Sequence, residues 1–120
     1  MEQFKKITVN KPWGKFEQFT LNQVCTVKIL TVEPYARLSY QSHKNREEFW
    51  RCIEGSVFAI IDGTGILMKV NDELLIPLGT KHRLVGTYLG GKVLEISFGE
   101  FDEEDIIRYE DDYGREMKSK

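Results

Sequence analysis

"QSHKNREEFWRCIEGSVFAIID", residues 41–62, holds one of only two histidines in a chain of 120 residues. Gln41 and His43 are two positions apart, the spacing that puts side chains on one face of a strand. The polar run from His43 to Glu47 then turns the chain. Glu48 opens an apolar, aromatic-rich second strand, on the same side as the first pair. Gln41, His43 and Glu48 are all able to ligate a metal. The second histidine, His82, follows "IPLGTK", where Pro77 and Gly79 mark a turn that presents it at the start of a further strand. Taken alone, the first segment reads more readily as a solvated hairpin than as a metal site. Joined to the His82 turn it offers two imidazoles, one carboxylate and one amide oxygen. That mixed set suits a divalent cation, zinc first and manganese, iron, cobalt or nickel next, with positions left open for a ligand.

Working outward, strand signals dominate. Apolar, β-branched runs occur at 24–32, 48–54, 56–62, 65–70, 73–78 and 92–99, each bounded by Gly, Asn, Asp or Pro. Short strands so punctuated predict an antiparallel sandwich or barrel, one domain over residues 1–120. Only "EEDIIRYEDD" (103–112) reads as a short C-terminal helical segment, with Ile106, Ile107 and Tyr109 toward the barrel. "KFEQFTLNQVCTVKIL" (15–30) reads as an edge strand, and covering such an edge predicts a homodimer. Trp13 and Trp50 read as packing residues.

Composition narrows the partners. A net charge of -2 with acids and bases interleaved gives no basic stripe for nucleic acid or an anionic membrane. No apolar run approaches the ~18 residues of a membrane span. The opening "MEQFKKITVNKPWG" lacks the apolar segment of a secretory signal. Cys25 and Cys52 show no CxxC spacing and predict free thiols in a reducing cytoplasm.

The two histidine segments resemble the two cupin motifs. Gln41 stands at the first His position, followed by His43, Glu48 and Gly55, while Pro77, Gly79 and His82 match the second motif. Tyr35, Asn71 and Gly86 depart from it at turn positions, none of them a ligand. The resemblance is closer to one branch, through "KPWGKFEQF" (11–19), "VKILTVEPYARLSYQSHKNREEFWRCIEG" (27–55), "LLIPLGTKHRL" (74–84) and "LEISFGEFDEEDIIRYEDDYGR" (94–115). These look like the type II phosphomannose isomerase domain that ends bifunctional mannose-1-phosphate guanylyltransferase/mannose-6-phosphate isomerases, over about residues 10–115. Lys11, Lys44, Asn45, Phe49 and Ser97 depart from that branch; Gln41, His43, Glu48 and His82 do not.

The resemblance implies a cupin-type double-stranded β-helix, a jelly-roll barrel, that takes a sugar phosphate. It also implies a metal-dependent isomerase interconverting mannose 6-phosphate and fructose 6-phosphate. Arg108, read by itself, is a surface ion pair or an anion contact at the barrel mouth; the family pattern favours the anion contact. Glu95, a charge in an apolar strand, is a general base or half of a buried ion pair. In the implied reaction Glu95 moves the proton and Arg108 steadies the developing charge. Lys28, Arg37, Lys81, Arg83 and Arg115 are candidates for a phosphate pocket. The rival readings are a stand-alone metal cupin that binds or senses a sugar without turnover and, more remotely, an iron-dependent dioxygenase.

Overall fold

The computed structural model describes residues 4–115. The described residues run through nine strands: β1 (Ile7–Lys11), β2 (Gly14–Gln18), β3 (Cys25–Val32), β4 (Tyr40–Ser42), β5 (Glu48–Ile61), β6 (Thr64–Lys69), β7 (Glu73–Ile76), β8 (His82–Phe98) and β9 (Ile107–Glu110). All pairings are antiparallel. β1 and β2 form a separate hairpin, and the other seven make one sheet around the spine β5–β8. Among the described residues no helix is long and apolar enough to cross a membrane.

The spine follows from two long strands that bend together. β5 pairs through its first half with β7 and through its second half with β6, while β8 runs beside it from Ser97 opposite Glu48 to His82 opposite Ile61. Gly55 therefore marks a bend inside one strand, where the sequence predicts a turn between two. The register slips on both sides of it, between Cys52 and Glu54 and between Gly55 and Val57. Gly55 has φ +62°, and a Cβ there would lie 2.1 Å from the Gly90 carbonyl oxygen. Only glycine allows the strands to cross so closely at that backbone angle.

Alternation along β5 and β8 sorts the core. The inward row holds Trp50, Cys52, Val57 and Ala59 from β5 and Leu84 and Val93 from β8, closed by Val32, Met68 and Ile76. Phe49, Ile96 and Phe98 point the other way, yet they are buried too, beneath Phe4, Phe19, Cys25 and Leu75. Cys25 and Cys52 are both free.

Three expectations are corrected. The helical segment predicted over 103–112 is absent; β9 lies there instead, with Arg108 opposite Gln41 and Ile107 opposite Ser42. The β-branched and aromatic run Ile-Ile-Arg-Tyr fits a strand, and so short a stretch with crowded acids cannot nucleate a stable helix unaided. The run 15–30 is two strands in different sheets, β2 and β3, and among the described residues β3 pairs with β8 alone. Trp13, at the tip of the β1–β2 hairpin, is 73% exposed and is not the packing residue expected, whereas Trp50 is 1% exposed.

Candidate metal centre

Strand ends bring the ligand-type residues together. Glu48 is the first residue of β5, His82 the first of β8, and His43 follows β4 directly. Gln41 pairs with His82 across β4–β8, which fixes the two segments side by side. His43, Glu48 and His82 are all buried, and one ligand atom from each lies within 4.8 Å of the others. Glu48 Oε1 is 3.2 Å from His82 Nε2 and 3.6 Å from His43 Nε2.

The hydrogen bonds behind the imidazoles aim their lone pairs inward. Nδ1 of His43 faces the Asp105 carbonyl at 2.7 Å, and Nδ1 of His82 faces the Thr80 carbonyl at 2.8 Å. A carbonyl only accepts, so each Nδ1 carries the proton and each Nε2 keeps a lone pair. Burial lowers the His43 pKa, outweighing Glu48, which acts to raise it, and so favours the neutral ring that a ligand must be. The Glu48 pKa is held below the usual carboxylate range against the upward push of burial, with the Arg46 guanidinium donating to Oε2 at 3.3 Å.

The fit to a cation is tested by what is left over. Despite their closeness, Glu48 Oε1 and His82 Nε2 lack hydrogen-bond geometry, and both are buried without a partner among the described residues. Two orphaned acceptors aimed at one spot are costly unless something positive sits there. The third, His43 Nε2, is approached by Arg46 Nη2 at 3.3 Å. The His/Glu/His cluster can therefore hold a metal. The fourth sequence candidate, Gln41, lies in the same wall, and its Oε1 accepts from Ser39 at 2.7 Å.

Above the cluster opens a cavity of about 350 Å³. Gln41, Glu48, Glu95 and Arg108 line it together with Lys28, Arg46 and Phe101. Glu95 Oε2 accepts from Trp50 Nε1 at 3.0 Å, and Ser97 Oγ donates to Glu48 Oε2 at 3.1 Å. Burial first, then the neighbouring Glu48 charge, raise the Glu95 pKa. Arg108 Nε is buried in this wall without a partner among the described residues.

Of the other cations named from sequence, Arg37 is bound to Asp112, Arg83 to Glu110 and Arg115 to Asp111. Lys81 lies over the Tyr109 ring. Only Lys28 reaches the cavity. Two residues of the site escape a reading of the sequence. Arg46 donates to Glu48 Oε2 and to the Asp102 carbonyl. Its position two before Glu48, in "REE", is the available signal. Asp105 braces His43 from 62 residues away, which no local pattern reveals.

Comparison with known proteins places the chain among relatives. The model of the family described as "Mannose-6-phosphate isomerase C-terminal" matches residues 1–111. XanB, the xanthan biosynthesis protein of Xanthomonas campestris pv. campestris, is 37% identical over 109 residues, 89% of this chain and 23% of that protein. The mannose-1-phosphate guanylyltransferase ManC of Salmonella typhimurium is 36% identical over 112 residues, again 89% and 23%. This chain thus spans about a quarter of the length of such relatives. Among solved structures, a cupin-superfamily sugar phosphate isomerase from Silicibacter pomeroyi has a TM-score of 0.59 at 19% identity, covering 82% of this chain and 74% of that one. ChmJ, a 3'-monoepimerase from Streptomyces bikiniensis, has a TM-score of 0.66 at 8% identity, covering 86% and 66%.

These likenesses settle the fold as a cupin-type barrel. They also correct the expected activity. The relatives carry the names of a mannose-1-phosphate guanylyltransferase and of a xanthan biosynthesis protein, and this chain matches only their smaller part. An isomerase interconverting mannose 6-phosphate and fructose 6-phosphate is therefore not assigned to it. What the match over residues 1–111 does establish is kinship: the chain belongs to the mannose-6-phosphate isomerase C-terminal family.

Proposed function

We propose that this chain is a metal-centred, sugar-phosphate-binding domain of an enzyme in mannose-phosphate metabolism. The observation that carries the reading is the orphaned pair Glu48 Oε1 and His82 Nε2, buried 3.2 Å apart at the base of a polar cavity. His43, Glu48 and His82, with Gln41 beside them, would hold a divalent cation; zinc suits this mixed nitrogen and oxygen set. When bound, the ion supplies a Lewis acid for sugar oxygens.

The chain's own residues do the rest. Arg108, with its buried, unpartnered Nε, offers a donor to an anionic oxygen. Glu95, whose pKa is raised by burial and by the Glu48 charge, is placed in the cavity wall to exchange a proton with a sugar hydroxyl. The names of the relatives direct the choice of sugar toward mannose 1-phosphate. We further propose a homodimer built on the outer edge of β3, where Val27 is 56% and Ile29 59% exposed. The two free thiols support a cytoplasmic setting.

Metal analysis and calorimetry test the reading. Wild type is expected to retain about one divalent ion, and His82→Ala none, with the barrel intact by circular dichroism. Mannose 1-phosphate should bind the metal-loaded domain more tightly than mannose. Arg108→Ala should keep the metal and lose that preference. Equal metal content in wild type and His82→Ala would overturn the site.

A further inference from the structure

Asp105 joins the C-terminal segment to the candidate metal centre through two different groups. Its backbone carbonyl receives His43 Nδ1 at 2.7 Å. Its carboxylate takes two backbone N–H groups from the turn that follows His43, Lys44 at 2.8 Å and Asn45 at 2.9 Å. One residue thus grips both the imidazole and the peptide units next to it. A second tie runs parallel, from Arg46 Nη1 to the Asp102 carbonyl at 2.9 Å.

We infer that Asp105 is a positioning residue for the metal centre: by clamping the 43–46 turn it fixes the tautomer and aim of His43. A carboxylate accepting two N–H bonds is held in one orientation, which holds its own carbonyl in place. That carbonyl keeps the proton on Nδ1 and leaves Nε2 unprotonated in the buried centre, 3.6 Å from Glu48 Oε1 and 3.3 Å from Arg46 Nη2. Groups that orient a ligating imidazole in this way typically change metal affinity by ~10–100-fold when removed. The same stretch supplies Phe101, Ile106 and Arg108 to the cavity wall. Whatever binds in that cavity and the ion beneath it therefore share one docked segment, and each should tighten the other.

This inference rests on the metal reading above, so its test carries a readout that needs no metal. Zn²⁺ affinity is measured by competition with a chromophoric chelator for wild type, Asp105→Ala and Asp105→Asn. The His43 ring nitrogens are followed by ¹⁵N NMR in the metal-free proteins. Asp105→Ala is expected to lose about 10–100-fold in Zn²⁺ affinity, with His43 moving from one tautomer to a mixture and the melting transition still cooperative. Asp105→Asn, which keeps one acceptor but turns an amide donor toward the second N–H, should fall between. If Asp105→Ala does not fold, Asp105→Asn decides by the same two measurements. Wild-type affinity together with an unchanged His43 tautomer in the folded variants would overturn the inference. Wild type that binds no Zn²⁺ would instead overturn the metal reading, and the tautomer shift would then judge Asp105 alone.

Discussion

The inward rows of β5 and β8 change character along their length. On β5 the row reads Glu48, Trp50, Cys52; on β8 it reads His82, Leu84 at one end and Ser97, Glu95, Val93 at the other. The mouth of the barrel is thus lined with His43, Arg46, Glu48, His82, Glu95 and Ser97, all buried, and the floor with Val57, Ala59, Leu84 and Val93, buried completely. The strands, the pleat and the burial are shared, but the chemistry is opposite. Hydrophobic burial at the floor stabilises the fold, while desolvated charge at the mouth opposes it unless paired. Stability and function are separated by a single step of two residues along a strand.

The bend that lets both ends share the strands should be the hardest to alter. Gly55→Ala places a methyl group against the Gly90 carbonyl at a left-handed φ. Strain and clash together should cost about 4 kcal/mol or more, among the largest single-residue effects. Urea unfolding would show it. A loss below ~1 kcal/mol would mean that the two strands of the spine can move apart at the bend.

A floor residue comes next. Leu84 is fully buried, opposite Ala59, and its carbonyl receives Leu38 N–H at 3.0 Å. Leu84→Ala leaves that backbone bond and removes only side-chain packing, so a loss of about 2–5 kcal/mol is expected. Metal content should be unaffected. Loss of the ion in a folded Leu84→Ala protein would break the division between floor and mouth.

Half of this division is legible in the sequence. Gln41, His43, Glu48 and His82 can be grouped because strand alternation and a Pro-Gly turn are local signals. Gly55 reads as a turn, since a glycine between two apolar runs looks alike in a hairpin and in a bent strand; only the 2.1 Å approach of Gly90 decides. The segment 103–112 reads as a helix because its strand partner, β4, lies far back in the chain and is three residues long. Arg46 and Asp105 stay hidden for the same reason. Their roles exist only once the C-terminal segment is laid across the turn after His43.

The smallest effect belongs to the mouth and changes with pH. Glu95 has a pKa raised above its unfolded value by burial and by the Glu48 charge. A carboxyl group shifted upward is at no disadvantage below its unfolded pKa, where both states are protonated. Above that value, near ~4.3, the unfolded chain ionises more readily, so the contribution of Glu95 to stability falls as pH rises through its folded pKa. Glu95→Gln removes this dependence, and its amide oxygen can still accept from Trp50 Nε1. With a chelator present, Glu95→Gln should match wild type near pH 4 and exceed it at pH 7 by roughly 1 kcal/mol, the ordinary size of a single-residue effect. Glu48 titrates in both proteins, with its folded pKa lowered, so its opposite trend cancels in the difference. Urea unfolding of the two proteins at both pH values measures that difference directly. A gain of equal size at pH 4 and pH 7 would assign the effect to packing. A variant less stable at pH 7 would show that Glu95 is ionised and paired, and that the mouth stabilises the barrel as the floor does.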